Sequence, residues 1–217
     1  MQVVQRKRPV QKRSAATVEF VLDAAARILE SEGLAGFNTN AVAARAGVSI
    51  GSLYQYFPGK EAITAALVAR EHQRIAEGLR AMLRETDGMS VGYAISALMH
   101  MVIDFQSHAP KLHRVLELEE ERLPRTAELD ALEREIETLN RDFFRRYVDP
   151  ARCSEAQLDN AARDTICIVR SMLDSAAMHG LLDAPDLHAR LYRTIEGYLA
   201  PLLPQVEMRA VAADVAA

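Results

Sequence analysis

The sequence predicts an all-α fold, in which a small N-terminal three-helix unit with a helix-turn-helix precedes a larger helical body, about nine helices in total. Three observations carry this expectation. Glycine (10) and proline (8) are sparse among 217 residues. Long stretches repeat Ala, Leu, Glu and Arg at spacings of three and four, the period of an amphipathic helix. Near the start, a helical pattern, a glycine turn and a second short helical pattern follow one another within some twenty residues. No strands of consequence are expected.

The first element is an arm. Residues 1–14 hold five basic side chains, no acids and a proline, so they read as flexible chain and not as a packed element. From Thr17 to Glu32, Phe20, Val21, Ala24, Ala25, Ile28 and Leu29 form one apolar stripe, and Gly33 is placed to end the helix in a left-handed cap. Asn38, Thr39 and Asn40 then offer capping oxygens before the short helix Ala41–Ala46, which Gly47 closes. Ser49 caps another short helix running through Ile50 to Phe57, stopped by Pro58 and Gly59.

The body reads as six further helices. Lys60 to about Leu83 has Ile63, Leu67, Ile75, Leu79 and Met82 as inward candidates, and Asp87-Gly88 breaks it. Ser90 to Ala109 stops before Pro110, and a shorter helix covers Lys111 to Arg122 before Pro124. In Ala127 to Val148, Leu129, Leu132, Ile136, Leu139 and Phe143 recur at helical spacing. Ser154 and Gln157 form a capping box opening a helix to Gly180 with a wide apolar stripe. Asp183-Ala184-Pro185-Asp186 starts the last helix, through Leu187, Leu191, Ile195, Tyr198 and Leu202, before an alanine-rich tail. The expected division is an arm over 1–14, a helix-turn-helix domain over 15–62 with its motif at about 38–57, a helical body over 63–205, and a tail over 206–217.

Composition narrows the function. Apolar residues make up 49% and charged residues 26% of the chain, a globular balance that excludes disorder over most of its length. No run approaches the roughly 18 uninterrupted apolar residues of a membrane span, and the basic start lacks a signal-type apolar core. A cytoplasmic protein with no membrane partner is expected, with Cys153 and Cys167 reduced and without a role. Up to Lys60 there are eight Lys and Arg against four Asp and Glu, so this head carries +4 and the remainder −8 of the net −4. A basic head on an acidic body suits a protein whose first part meets phosphates, although a solvated surface gives the same pattern.

The segment Gly33 to Lys60 resembles the signature of the TetR family of bacterial regulators. The likeness rests on Val42-Ala43-x-x-Ala46-Gly47-Val48-Ser49-x-Gly51-x-Leu53-Tyr54-x-Tyr56-Phe57-x-x-Lys60-Glu61. Asn38 stands where threonine is frequent, and Gln55 and Tyr56 where aromatic residues and histidine are common. The resemblance implies a homeodomain-like head that binds a palindromic operator in double-stranded DNA, a homodimer, and a small-molecule effector of unknown identity.

The residue types fit that role. A recognition helix must enter a major groove about 12 Å wide, so its leading residues are small or able to meet base edges, as Ser49, Ile50, Gly51 and Ser52 are. Ile50 offers only apolar contact, for which a thymine methyl is the natural partner. Tyr54, Gln55 and Tyr56 offer hydroxyl and amide groups to phosphates or bases, and Lys60 adds a charge where helix amides also favour phosphate. Thr39 and Asn40 resemble positions that touch the DNA backbone. Val42, Ala46, Val48, Leu53 and Phe57 space like core, and Arg45 reads equally as a groove contact or a solvated cation.

For the body, the resemblance implies that the last two long helices pair with a second copy in a four-helix bundle, with Ala162, Val169, Ala176, Leu191 and Ile195 as interface candidates and burial within one subunit as the alternative. It also implies an effector cavity, for which Met99, Met101, Phe105, Phe143, Phe144 and Met172 are lining candidates because methionine and aromatics adapt to varied apolar molecules, or else plain core. His100, His108 and His113 cannot share one helical face across Pro110, so no metal and no cofactor are expected. No nucleophile, base and orienter stand in a recognisable pattern, so the chain is not expected to be an enzyme. The alternative within DNA binding is a dimeric architectural protein that needs no effector.

Overall fold

The computed structural model of the chain describes residues 12–204. The basic arm expected over 1–14 therefore lies outside the described residues, except that Lys12 to Ser14 begin the first helix, and the tail at 206–217 lies outside them too. Among the described residues there are nine α-helices, a short 3-10 turn at Ala200–Leu202 and no strand. The helices are α1 (Lys12–Gly36), α2 (Thr39–Ala46), α3 (Ile50–Tyr56), α4 (Lys60–Glu85), α5 (Val91–His108), α6 (Pro110–Glu120), α7 (Ala127–Arg145), α8 (Glu155–Met178) and α9 (Leu187–Leu199). Of the anticipated breakers, Gly47, Pro58, Gly59, Gly88, Pro124, Pro150, Gly180 and Pro185 fall between these elements, whereas Pro110 opens α6 and Gly33 lies within α1. Gly33, expected as a left-handed cap, instead takes φ 65° with ψ −162°, an extended positive-φ conformation open essentially to glycine, and so breaks the helical backbone near the end of α1.

The helices divide into two compact units. One comprises the described residues up to Gln73 together with Ala109–Asp130; the other comprises Arg74–His108 and the described residues from Ala131. The expected division after residue 62 thus shifts into α4, and α6 joins the head instead of the body. Two contacts explain α6. Its apolar residues Leu112 and Leu116 are buried in the head's core, and its backbone is tied to α1 through Glu30.

The head's core is made by α1, α2, α3, the first part of α4 and α6, with Val21, Ala25, Ile28 and Leu29 meeting Val42, Leu53, Phe57, Ile63 and Leu67. Phe20, expected in the inward stripe of α1, is 58% exposed. The buried stripe instead runs through Val18, Val21, Leu22, Ala25, Ile28 and Leu29, which turns Phe20 out by one position. Ala46 and Val48 are half-buried and pack against the core.

The second unit packs α5, α7, α8 and α9 with the remainder of α4 around Leu79, Met82, Ile95, Leu98, Met99, Phe143, Phe144, Leu158, Leu173, Leu191 and Ile195. The capping box at the start of α8 is formed: Ser154 Oγ accepts the Gln157 N–H at 3.3 Å and Gln157 Oε1 accepts the Ser154 N–H at 3.0 Å. Two buried polar side chains of this unit are answered by backbone carbonyls. Asn140 Nδ2 donates to the Ala162 carbonyl at 2.7 Å, and the Tyr147 hydroxyl donates to the Thr86 carbonyl at 3.0 Å. Burial, aided by the Glu155 carboxylate, pushes the Cys153 thiol up, which disfavours a reactive thiolate.

Candidate DNA-binding surface

The site is built by α2, a tight turn and α3 on the buried ridge of Val42, Leu53 and Phe57. Asn38 is the N-cap of α2: its backbone is extended and its Oδ1 accepts the Ala41 N–H at 2.9 Å. Gly47, at φ 68° and ψ 28°, takes the left-handed conformation that ends α2, its N–H reaching back to the Ala43 and Ala44 carbonyls. The Val48 N–H also reaches Ala43 O at 3.1 Å. The chain is thereby turned sharply into α3.

Ser49 caps α3. Its Oγ accepts the Ser52 N–H at 3.0 Å and lies 2.8 Å from Ser52 Oγ. Ser49 thus caps the helix as expected, and the two hydroxyls, expected also to meet base edges, are engaged with each other. The outward surface of α3 is then left to Ile50, Gly51, Tyr54 and Gln55, all exposed. Tyr56, expected outward, is half-buried and packs against the head's core.

Thr39 at the start of α2 brings its hydroxyl within 3.2 Å of the Tyr54 hydroxyl on α3. Asn40 beside it is exposed, and so is Lys60 at the first position of α4. Arg45, read equally as groove contact or solvated cation, pairs with Glu32 at 2.8 Å, which draws its charge toward the end of α1. The α2–α3 surface thus presents hydroxyls, amides and apolar atoms, with Lys60 as a cation at its edge.

Sequence reasoning missed the contacts that hold this head together from behind. α6 has Ala109 at its N-cap, with no side-chain oxygen to offer, and Glu30 of α1 supplies it: Oε2 accepts the Leu112 N–H at 2.8 Å. Arg70 of α4 reaches Asp23 of α1 at 2.8 Å. Two His–carboxylate pairs join α4 to α6, Glu71 with His113 at 3.5 Å and His72 with Glu120 at 3.4 Å. Their partners lie more than forty residues apart in sequence, so no local spacing announces them.

In the second unit, Met99, Phe143 and Phe144 are fully buried in one cluster and Met172, like Met101, packs against it. Phe105 stands outside that cluster, half-buried with the Arg74 guanidinium 5.9 Å over its ring. The interface candidates Ala162, Val169, Ala176, Leu191 and Ile195 are buried within the chain's own core. A wide stripe on α8 fills the space against α5, α7 and α9, so a second copy would have to meet the other side of these helices. Among the exposed residues of that side are Arg163, Cys167, Ser171, Ser175 and Gly197, with the Tyr198 hydroxyl donating to Asp164 across α8 and α9. Of the three histidines weighed for a metal, His113 faces Glu71 in the head, whereas His100 stacks on His188 with ring centres 4.0 Å apart.

A family model described as bacterial regulatory proteins, tetR family, matches residues 21–67, and one described as tetracyclin repressor-like, C-terminal domain, matches residues 92–199. The nucleoid occlusion factor SlmA of Haemophilus ducreyi is 34% identical over 97 residues, 44% of this chain and 47% of that protein. The chain thus spans about half the length of that curated relative. The HTH-type transcriptional repressor KstR of Rhodococcus jostii is 40% identical over 55 residues, 25% of this chain and 26% of that one. Among solved structures, SmeT, the repressor of the Stenotrophomonas maltophilia multidrug efflux pump SmeDEF, aligns over 90% of this chain and 95% of its own with a TM-score of 0.63 at 22% identity, which is a likeness of fold. No described helix is long and apolar enough to cross a membrane. With both halves of the chain matched by the models of one family, and the helix-turn-helix built as that family's DNA-binding head requires, the chain belongs to the TetR family of DNA-binding transcriptional regulators.

Proposed function

We propose that this regulator is a cytoplasmic repressor that binds a palindromic operator as a homodimer and is released by a small apolar or amphipathic ligand. The observation that carries the DNA part is the convergence of the Thr39 and Tyr54 hydroxyls, 3.2 Å apart, beside exposed Asn40, Gln55 and Lys60 on a helix-turn-helix with a packed core. Hydroxyls and a lysine are phosphate-positioning groups, whereas Ile50, Gly51 and Gln55 meet base edges. Ser49, Ser52 and Tyr56 then support the surface more than they read it.

The ligand part rests on the methionine and aromatic content of the second unit, Met99, Phe143, Phe144 and Met172, with Phe105 nearby in sequence. It is also supported by a fold neighbour solved as a SmeT–triclosan complex, with a TM-score of 0.61 at 23% identity. Helices α4 and α7 each divide between the two units, which provides covalent routes for a change in one to reach the other. A ligand acts only by its differential affinity for the DNA-competent and incompetent states, and a tenfold loss of operator affinity needs about 1.4 kcal/mol of it.

A second reading is favoured by the relative named as a nucleoid occlusion factor: a dimeric DNA-binding protein that organises its target without any effector. One experiment separates the two. Calorimetric titration of a panel of apolar and amphipathic compounds that includes triclosan, with and without operator duplex, is expected to give a compound bound more weakly by the DNA complex. Equal affinities throughout the panel would favour the effector-independent reading. A salt-titrated shift assay tests the DNA part, because Lys60→Ala is expected to lower the salt slope by about one per subunit.

A further inference from the structure

We propose that Gly51 is a specificity determinant: its bare α-carbon, beside Ile50, forms a notch on α3 that receives the 5-methyl group of an operator thymine. The inference rests on the DNA-binding role of α3 stated above and starts from a glycine that the fold does not require. Glycine is among the least favourable residues in a helix, so its presence there asks for a reason. The usual reasons are absent at this position. Gly51 is not among the positive-φ glycines of the described chain, which are Gly33, Gly47, Gly88 and Gly180. A Cβ built on it would meet only Ser49 Oγ, at 3.9 Å, an ordinary contact. By contrast, a Cβ on Gly36 would collide with Glu32 at 2.5 Å, and one on Gly78 would press on Met101 at 3.3 Å.

What the chain itself does not fill is available to the DNA. Gly51 is exposed, in the first turn of the helix whose outward residues are Ile50, Tyr54 and Gln55. A helix with its side chains is about 10–12 Å across and the major groove about 12 Å wide, so one missing side chain decides how closely backbone and base edge approach. The side of the notch formed by Ile50 is apolar, and the Ser49 hydroxyl on the other side is already engaged. Ile50 is 39% exposed with no polar atom in its side chain, and the neighbouring Ser49 and Ser52 hydroxyls are turned to each other at 2.8 Å. In the major groove, the base feature complementary to that apolar side is the thymine methyl, which a cytosine lacks.

The test uses the full chain and a duplex enriched by it from a random pool. Each thymine of the enriched site is replaced in turn by deoxyuridine, which removes only the methyl. One thymine per half-site is expected to show a loss of about fourfold, the worth of one buried methyl. Gly51→Ala is expected to weaken the intact site at least tenfold while its unfolding midpoint stays level or rises, and to abolish the deoxyuridine penalty at that thymine. Ile50→Ala should reduce the same penalty. An unchanged affinity of Gly51→Ala, or a deoxyuridine penalty that persists undiminished in it, would overturn the notch while leaving DNA binding intact. If no sequence is enriched at all, the sequence-specific reading fails, and the notch with it.

Discussion

The hydroxyls of Thr39 and Tyr54 meet at 3.2 Å, joining the first turn of α2 to the exposed side of α3. Each hydroxyl carries one proton. When one donates to the other, a single proton remains for an outside acceptor, so the pair acts on a phosphate as one group. Thr39→Val and Tyr54→Phe are each expected to weaken operator binding about tenfold, close to the lower end for a hydrogen bond to a charged group. The double variant should be little worse than either single one, because both break the same unit. A double loss equal to the product of the single losses, in a shift assay at fixed salt, would mean that the two hydroxyls contact DNA separately.

This pairing marks the limit of what the sequence discloses. Caps and turns were legible because their chemistry is local: Asn38 three residues before Ala41, Gly47 in its left-handed turn and the Ser154–Gln157 box all stand within one helical turn of their partners. The outward list of α3 was also legible, since it follows from helical period and side-chain type. What did not show were contacts closed by the third dimension. Arg45 read equally as a groove contact or a solvated cation, and its partner Glu32 lies thirteen residues away on α1. The stripe of α8 read as an interface because periodicity reports that a face is apolar and not what covers it; α5, α7 and α9 cover it here. The move of α6 into the head depends on Glu30 and Leu112, 82 residues apart.

That last contact predicts a stability effect far from any DNA contact. Glu30 supplies the acceptor that Ala109 cannot, and a lost N-cap costs about 1 kcal/mol. Glu30→Ala is therefore expected to lower the unfolding free energy from urea denaturation by about that amount, and with it the midpoint, and Glu30→Gln, which keeps an acceptor oxygen, by clearly less. Equal midpoints for the two variants would show that the carboxylate charge, and not the hydrogen bond, holds α6.

Tyr198 predicts the alkaline limit. Burial, with the hydrogen bond to Asp164 and its negative charge, pushes the phenol from 10.0 up to about 12. The native chain thus holds this proton more tightly than the unfolded chain does. The contribution is fully present below pH 10 and is lost as the pH climbs from 10 toward 12, where the unfolded form ionises first. Thermal unfolding midpoints should accordingly fall more steeply over that interval in the wild type than in Tyr198→Phe. Parallel curves would show that Asp164 does not restrain the phenol.

The faces of α8 and α9 make opposite predictions for two small residues. Ala176 is 4% exposed within the core of its own unit. An arginine there buries a charge with no partner, so Ala176→Arg is expected to unfold or aggregate the chain whatever its oligomeric state. Gly197 lies on the exposed side of α9, and a Cβ added there meets nothing within 4 Å. Like Gly51, it is a helical glycine that the single chain does not need, and close approach of a second copy would give it a reason. Arginine favours a helix more than glycine does, so Gly197→Arg should keep or raise the helical signal and the unfolding midpoint. If a second copy packs against this face, the same change should shift the protein from dimer to monomer by sedimentation and lower operator affinity, because a lone head loses its paired half-site. A folded dimer carrying Gly197→Arg would place the dimer contact away from α9.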